Sequence, residues 1–129
     1  MQNLHIERSN VTPEILFMPA QQRLEISGEC YPENPLPFFQ PLLQTLHTYF
    51  EKERPTRFEA RMQLQYINSA STMGLRSLFS LLNSAGKKGT DTRVLWTYDA
   101  EDDAIEELGL DLVEDFHHVL LERQPLSVA

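Results

Sequence analysis

A strand pattern turns into a helix pattern in the middle of this chain, across a short run of hydroxyl residues. Phe58-Glu59-Ala60-Arg61-Met62-Gln63-Leu64-Gln65-Tyr66 alternates apolar and polar side chains, the period of a half-buried strand. Leu75, Leu78, Phe79 and Leu82 then fall at i, i+3, i+4 and i+7, the stripe of an amphipathic helix. Between them stands Asn68-Ser69-Ala70-Ser71-Thr72. A strand feeding directly into a helix is half of a parallel crossover, so the chain is committed to a sheet layered with helices. The hydroxyls lie at the start of that helix, where free N–H groups and the positive end of the dipole favour an anion. Two roles fit them. Ser, Thr and Asn are the preferred helix caps, which is the commoner role. A phosphoryl group on one of them would also be well placed.

The rest of the chain extends the pattern. Ile15-Leu16-Phe17-Met18 reads as a first strand and Arg23-Leu24-Glu25-Ile26-Ser27-Gly28 as a second, joined through Ala20-Gln21-Gln22 as a hairpin. Gly28 to Pro35 reads as a loop. Asn34 is positioned to cap a helix with Pro35 at its first position. Phe39, Leu42, Leu43, Leu46 and Phe50 give that helix its stripe, and Pro41 is expected to kink it or delay its start. Glu51 to Thr56 is a charged linker. The third strand spans about Phe58 to Ile67, and the second helix about Ser71 to Ala85 with Gly86 as its C-cap. Val94 to Tyr98 forms a fourth strand, Asp99 to Asp115 holds an acidic helix, and Phe116 to Leu121 forms a fifth strand. The tail from Gln124 reads as frayed. The expectation is an α/β fold in one domain over residues 1–129, with a mixed sheet of about five strands. Helices should cover mainly one face, because the third strand alternates where a doubly covered strand would be apolar throughout. Met62, Leu64, Leu75, Phe79, Leu82 and Trp96 are the expected core.

Composition excludes several function classes. A formal net charge of −8 argues against nucleic acid and against anionic membrane surfaces as partners. No long apolar run predicts a membrane insertion. No signal peptide is visible, and Cys30 is the single cysteine, so a reducing cytoplasm is the expected compartment. The acidic run Asp99-Ala100-Glu101-Asp102-Asp103 fails the calcium-loop template, with Ala104 where glycine is needed and Leu110 where the closing Glu belongs. His117 and His118 are adjacent in a predicted strand and so point to opposite faces, which is wrong for joint ligation. No catalytic triad, phosphate-cradling glycine loop or dinucleotide fingerprint is present. These patterns point to no catalytic residue, metal or cofactor. The alternative reading is a small enzyme or cation-binding protein using the acidic segment near Asp99.

Four segments together resemble a known family. They are Thr12-Pro13-Glu14, Gly28-Glu29-Cys30-Tyr31-Pro32-Glu33-Asn34, Tyr66-Ile67-Asn68-Ser69-Ala70-Ser71 and Trp96-Thr97-Tyr98-Asp99. The chain resembles the SiaC family of bacterial regulatory phosphoproteins from near its N-terminus to about Leu121. That resemblance implies a non-enzymatic switch built like an anti-sigma-factor antagonist. It implies three partners: a serine/threonine kinase, a metal-dependent phosphatase, and a diguanylate cyclase that the unphosphorylated form binds and activates. Cyclic di-GMP signalling and biofilm formation would be the output. By position the phosphoacceptor is Ser69, with Ser71 and Thr72 as alternatives. Tyr31, Pro32, Glu33, Asn34 and Asn68 become the candidate partner-binding residues.

Overall fold

The computed structural model describes residues 1–126. Six strands form one mixed sheet: β1 (Leu4–Ile6), β2 (Glu14–Met18), β3 (Arg23–Cys30), β4 (Arg57–Ile67), β5 (Asp91–Asp99) and β6 (Val119–Leu126). Their spatial order is their chain order. β1, β2 and β3 are antiparallel neighbours, and β3 to β6 are parallel. Three helices bridge the parallel strands: α1 (Leu36–Glu53), α2 (Ser69–Lys87) and α3 (Asp103–Glu114). Crossovers of one hand that all step the same way put their helices on the same face. Burial agrees with that expectation. Along β4, Phe58, Ala60, Met62 and Leu64 are buried, while Arg57, Arg61, Gln63 and Gln65 are exposed.

The six residues expected in the core are all buried. Two ring systems organise that core. Phe17, Tyr49, Phe50 and Phe58 pack with centroids 5.0–6.3 Å apart beneath α1. Trp96 meets Phe79 edge-on and donates its indole N–H to the Ile105 carbonyl at 2.8 Å, which ties α3 to β5. A Cβ on Gly109 would come within 2.6 Å of the Trp96 indole, so only glycine lets α3 sit this close.

Several local expectations shift. β1 is an added sixth strand, and at three residues it is too short to show a period. β3 continues to Cys30, inside the stretch expected as loop. α1 starts at Leu36, ahead of Pro41, so Pro41 lies within the helix and does not delay it. The start is secured instead by the Pro35 carbonyl, which accepts from Phe38 and Phe39 N–H, and by Asn34 Oδ1, which accepts from Leu36 N–H at 3.3 Å. Pro35 occupies the cap position, one residue earlier than expected. Gly86 lies inside α2, where a Cβ would reach the His118 carbonyl oxygen at 2.4 Å; close packing, not capping, requires glycine there. His117 and His118 occupy a turn before β6 and not the strand itself. β6 starts later and runs through Gln124 to Leu126, hydrogen-bonded to β5 where fraying was expected; the remainder of that tail, 127–129, lies outside the described residues.

Leu82 is fully buried under α2. Leu82→Ala should lower the unfolding free energy by about 2–5 kcal/mol in a denaturant titration, the range for a deleted core leucine. Gly109→Ala should cost a further, separable ~1–3 kcal/mol by overpacking against Trp96. Unchanged midpoints would mean that neither helix packs as described.

Candidate functional site

The parallel strands β3 and β4 end side by side, with Cys30 opposite Ile67. The register slips between Gly28 and Glu29, and Gly28 holds φ +123°, a conformation that favours glycine. Past the strand ends the two chains are stitched together by Asn68. Its backbone N–H donates to the Cys30 carbonyl at 3.0 Å. Its side-chain Nδ2 donates to the Pro32 carbonyl at 3.1 Å, and its Oδ1 accepts from Ser71 N–H at 2.9 Å as the N-cap of α2. One residue therefore caps the helix and fixes the Tyr31-Pro32-Glu33-Asn34 loop. On the other side of that loop, Tyr31 N–H donates to the Val11 carbonyl at 2.8 Å, and the Tyr31 ring stands edge-on to Tyr66, centroids 5.7 Å apart.

The three hydroxyls are in different environments. Ser69 is the first residue of α2 and is exposed. Ser71 is 0% exposed; its Oγ makes no hydrogen bond of ordinary geometry and lies beside the Cys30 thiol. Thr72 is partly buried and its Oγ1 donates to the Asn68 carbonyl at 3.3 Å. Only Ser69 has a hydroxyl open to a large partner. Among the described residues neither Ser69 nor Ala70 N–H has a protein acceptor, so both donors face solvent at the positive end of the α2 dipole. The Cys30 thiol pKa is raised by burial, which the neighbouring Ser71 hydroxyl partly offsets; the thiol is held neutral and unreactive.

Large apolar side chains are exposed on the segments that surround this turn. Met73 lies one turn into α2 and is 69% exposed, Leu36 opens α1, and Tyr66 is 53% exposed beside Tyr31. Sequence reasoning missed these three. Tyr66 has the same parity as the buried Met62 and Leu64, yet at the strand end its ring leans on Tyr31. Met73 stood off the helix stripe, and that was the available signal. Of the residues singled out from sequence, Tyr31, Pro32, Asn68 and Ser69 come together. Glu33 and Asn34 are exposed on the same loop, whereas Pro32 is buried.

The acidic segment is accounted for locally. Asp99 Oδ1 accepts from Glu101 N–H at 2.9 Å, and Asp102 caps α3 by accepting from Ile105 N–H at 3.1 Å. Glu106 accepts from Tyr98 Oη at 2.8 Å and from Arg123 at 2.9 Å, and that hydrogen bond is the main reason the Tyr98 pKa is raised. Among the described residues no three His, Cys, Asp or Glu side chains converge as metal ligands. Nor is any helix long and apolar enough to cross a membrane.

Residues 6–126 match the family described as SiaC family regulatory phosphoprotein. The chain belongs to the SiaC family. The resemblance carried by the Tyr31–Asn34 and Asn68–Ser71 segments is thereby borne out, as is the α/β fold expected from the strand and helix order. An uncharacterised protein of Pseudomonas aeruginosa (strain UCBPP-PA14) is 28% identical over 116 residues, covering 89% of this chain and 90% of that protein. The crystal structure of apo-SiaC from Pseudomonas aeruginosa superposes with a TM-score of 0.89 at 26% identity, covering 96% of this chain and 99% of that one. SiaC in complex with the diguanylate cyclase SiaD, of which it is the activator, superposes with a TM-score of 0.88 at 25% identity, covering 95% and 99%.

The double role of Asn68 can be separated by substitution. Asn68→Ala should lose about 0.5–2 kcal/mol of stability through the cap. Asn68→Asp keeps an acceptor for Ser71 N–H but loses the donor to Pro32. It should therefore keep the cap but lose about 1 kcal/mol through the unpaired Pro32 carbonyl, and amide exchange should quicken across Tyr31 to Asn34. Equal protection of that loop in both the Asp variant and the parent would show that the Nδ2 hydrogen bond does not hold it.

Proposed function

We propose that this chain is a phosphorylation-switched, non-enzymatic activator of a diguanylate cyclase, acting in the cytoplasm as a single regulatory domain. Unphosphorylated, it binds the cyclase through the surface formed by Tyr31, Glu33, Asn34 and the Ser69 turn, with Pro32 and Asn68 holding those groups in position. A serine/threonine kinase transfers a phosphoryl group to Ser69 Oγ and so blocks binding, and a metal-dependent phosphatase removes it by hydrolysis. The observation that carries this reading is the exposed Ser69 hydroxyl at the start of α2, flanked by exposed Tyr66 and Met73. Membership of a regulatory phosphoprotein family, and the SiaC–SiaD complex among its structural relatives, support it.

The physical argument for the switch is one of desolvation. An apolar patch docks by excluding water, and a phosphoserine brings about −1.5 to −2 charges to its centre. Burying that charge without a partner is costly. Arg76, the first basic residue along α2, is committed to Asp115 at 3.0 Å. The phosphate is left facing the partner.

Kinase treatment followed by peptide mapping should find phosphate on Ser69. Phosphate confined to Ser71 or Thr72 would overturn the assignment. In titrations of a cyclase partner, Ser69→Ala should bind like the parent protein and stay insensitive to the kinase. Ser69→Asp and Tyr31→Ala should each weaken binding about tenfold, roughly 1.4 kcal/mol. Parent-like affinity in both would place the switch on another face.

A further inference from the structure

The far end of the helical layer carries a feature that the Ser69 surface does not use. α1 and α2 diverge to leave a groove of about 450 Å³, closed at one end by the Pro55–Thr56 and Gly89–Thr90 turns. Those turns are fixed to one another, because Asp91 N–H donates to the Thr56 carbonyl and Thr90 Oγ1 to the Pro55 carbonyl. The groove is built from helix-spaced positions on both walls. Leu43, His47 and Phe50 line it from α1, and Ser77, Ser80 and Ser84 from α2, with Leu81 among them. From Leu43 to Glu51, and equally from Ser77 to Ala85, each wall runs about 12 Å at the α-helical rise, a little over two turns. Small hydroxyl side chains on one wall allow another backbone to approach closely.

Its charge is the reverse of the molecule's. The chain carries a net −8 with its histidines counted neutral, yet on the same count the groove is lined by Arg54 and Lys88 against a single carboxylate, Glu51, with His47 beside them. Lys88 already takes Glu51 at 2.6 Å, and this pairing holds the Glu51 carboxyl pKa below its ordinary value. His47 and Arg54 have no carboxylate within ion-pair distance among the described residues. The nearby Lys52 and Lys87 lie in the last turns of α1 and α2, where the helix dipoles account for them. Arg54 follows the end of α1 and lines the groove.

We propose that the α1–α2 groove is a second docking surface, which takes an amphipathic helix of two to three turns with acidic flanks from a protein partner. Recognition of this kind lays the apolar i, i+3, i+4, i+7 face on Leu43, Phe50 and Leu81, and sets the acidic flank against Arg54 and His47. The geometry favours a helix over a compact small anion because the lining spans about two turns on each helix and includes the apolar side chains of Leu43, Phe50 and Leu81. It does not depend on Ser69, so a partner held here could stay bound in either state of the switch.

The test is an NMR titration of the full chain with three synthetic peptides. The first is an amphipathic helix with leucines at i, i+3, i+4 and i+7 and glutamates on its flanks. The second replaces those glutamates with lysines, and the third is a scrambled sequence of the first. The glutamate peptide should shift resonances of Leu43, Phe50, Ser80 and Leu81 and bind about tenfold more tightly than the other two, with affinity falling as salt screens the rim. Arg54→Glu and Ser80→Trp both alter exposed positions; with folding checked by thermal melting, each should weaken binding about tenfold. Ser69→Asp should leave it unchanged. The proposal fails if the lysine peptide binds as well, if the shifts centre on Tyr66 and Met73, or if Arg54→Glu has no effect. It also fails if inorganic phosphate reproduces the shifts, or if Ser80→Trp only changes self-association and no peptide binds, which would make a small anion or a second copy the occupant.

Discussion

The two ends of one amide, on Asn68, tie the α2 start to the Tyr31–Asn34 loop. Its oxygen satisfies the Ser71 N–H at the start of α2, and its nitrogen reaches the Pro32 carbonyl on the neighbouring crossover. Aspartate could do the first and lysine the second, but a residue that does both must carry a donor and an acceptor on a short side chain. Because the backbone of Asn68 is also bonded to Cys30, three segments are fixed at one point. The position of Ser69 and the shape of the Tyr31 loop are thus set by the same bonds.

The sheet explains where the candidate surfaces lie. With strands in chain order and every helix on one face, the other face is left to water. It is dressed with ion pairs such as Arg23 with Glu25 and Glu59, and Arg93 with Asp91 and Glu122. Such exposed pairs contribute little to stability. They do keep a bare sheet hydrated and free of large apolar patches. Exposed apolar side chains include Tyr31 and Tyr66 at the carboxyl ends of β3 and β4, where parallel sheets usually meet ligands, and Leu36, Met73 and Leu110 on the helices, while Leu120 and Leu126 are exposed on the edge strand β6.

Much of this was legible from residue order. Period-two alternation located β4 and correctly made it one-sided, and the stripe from Leu75 to Leu82 located α2. Asn68 and Ser69 stood out because capping chemistry and a strand-to-helix transition coincide there. The errors have physical causes. β1 is held by pairing with β2 and not by its own pattern, so three residues gave no signal. Gly86 and Gly109 are close-approach glycines, whose need for a missing Cβ comes from His118 and Trp96, distant in sequence. Pro41 was expected to kink α1 or delay its start, but the start is held ahead of it by the Pro35 carbonyl and Asn34, so the one bond that Pro41 cannot donate to the Pro37 carbonyl does not delay the helix. The separation of Ser69 from Ser71 and Thr72 was not legible from spacing, and it was the family resemblance that put Ser69 first. Spacing puts all three near one helix start, and only burial distinguishes them.

That separation also bears on how a phosphoryl group could act here. On Ser71 it would have to enter the core beside Cys30, and the fold itself would be lost. On Ser69 it would sit before the unbonded N–H groups of Ser69 and Ala70, where a helix dipole favours an anion by about 0.3–1 kcal/mol. The folded state would therefore tolerate, and slightly favour, the modified form. An apolar partner docking over Met73 and Tyr66 would instead face the desolvation of that charge. On the proposed reading, the same phosphate would be mildly stabilising to the isolated protein and unfavourable to the complex. A switch of the proposed kind would then need only that difference in sign, and no conformational change.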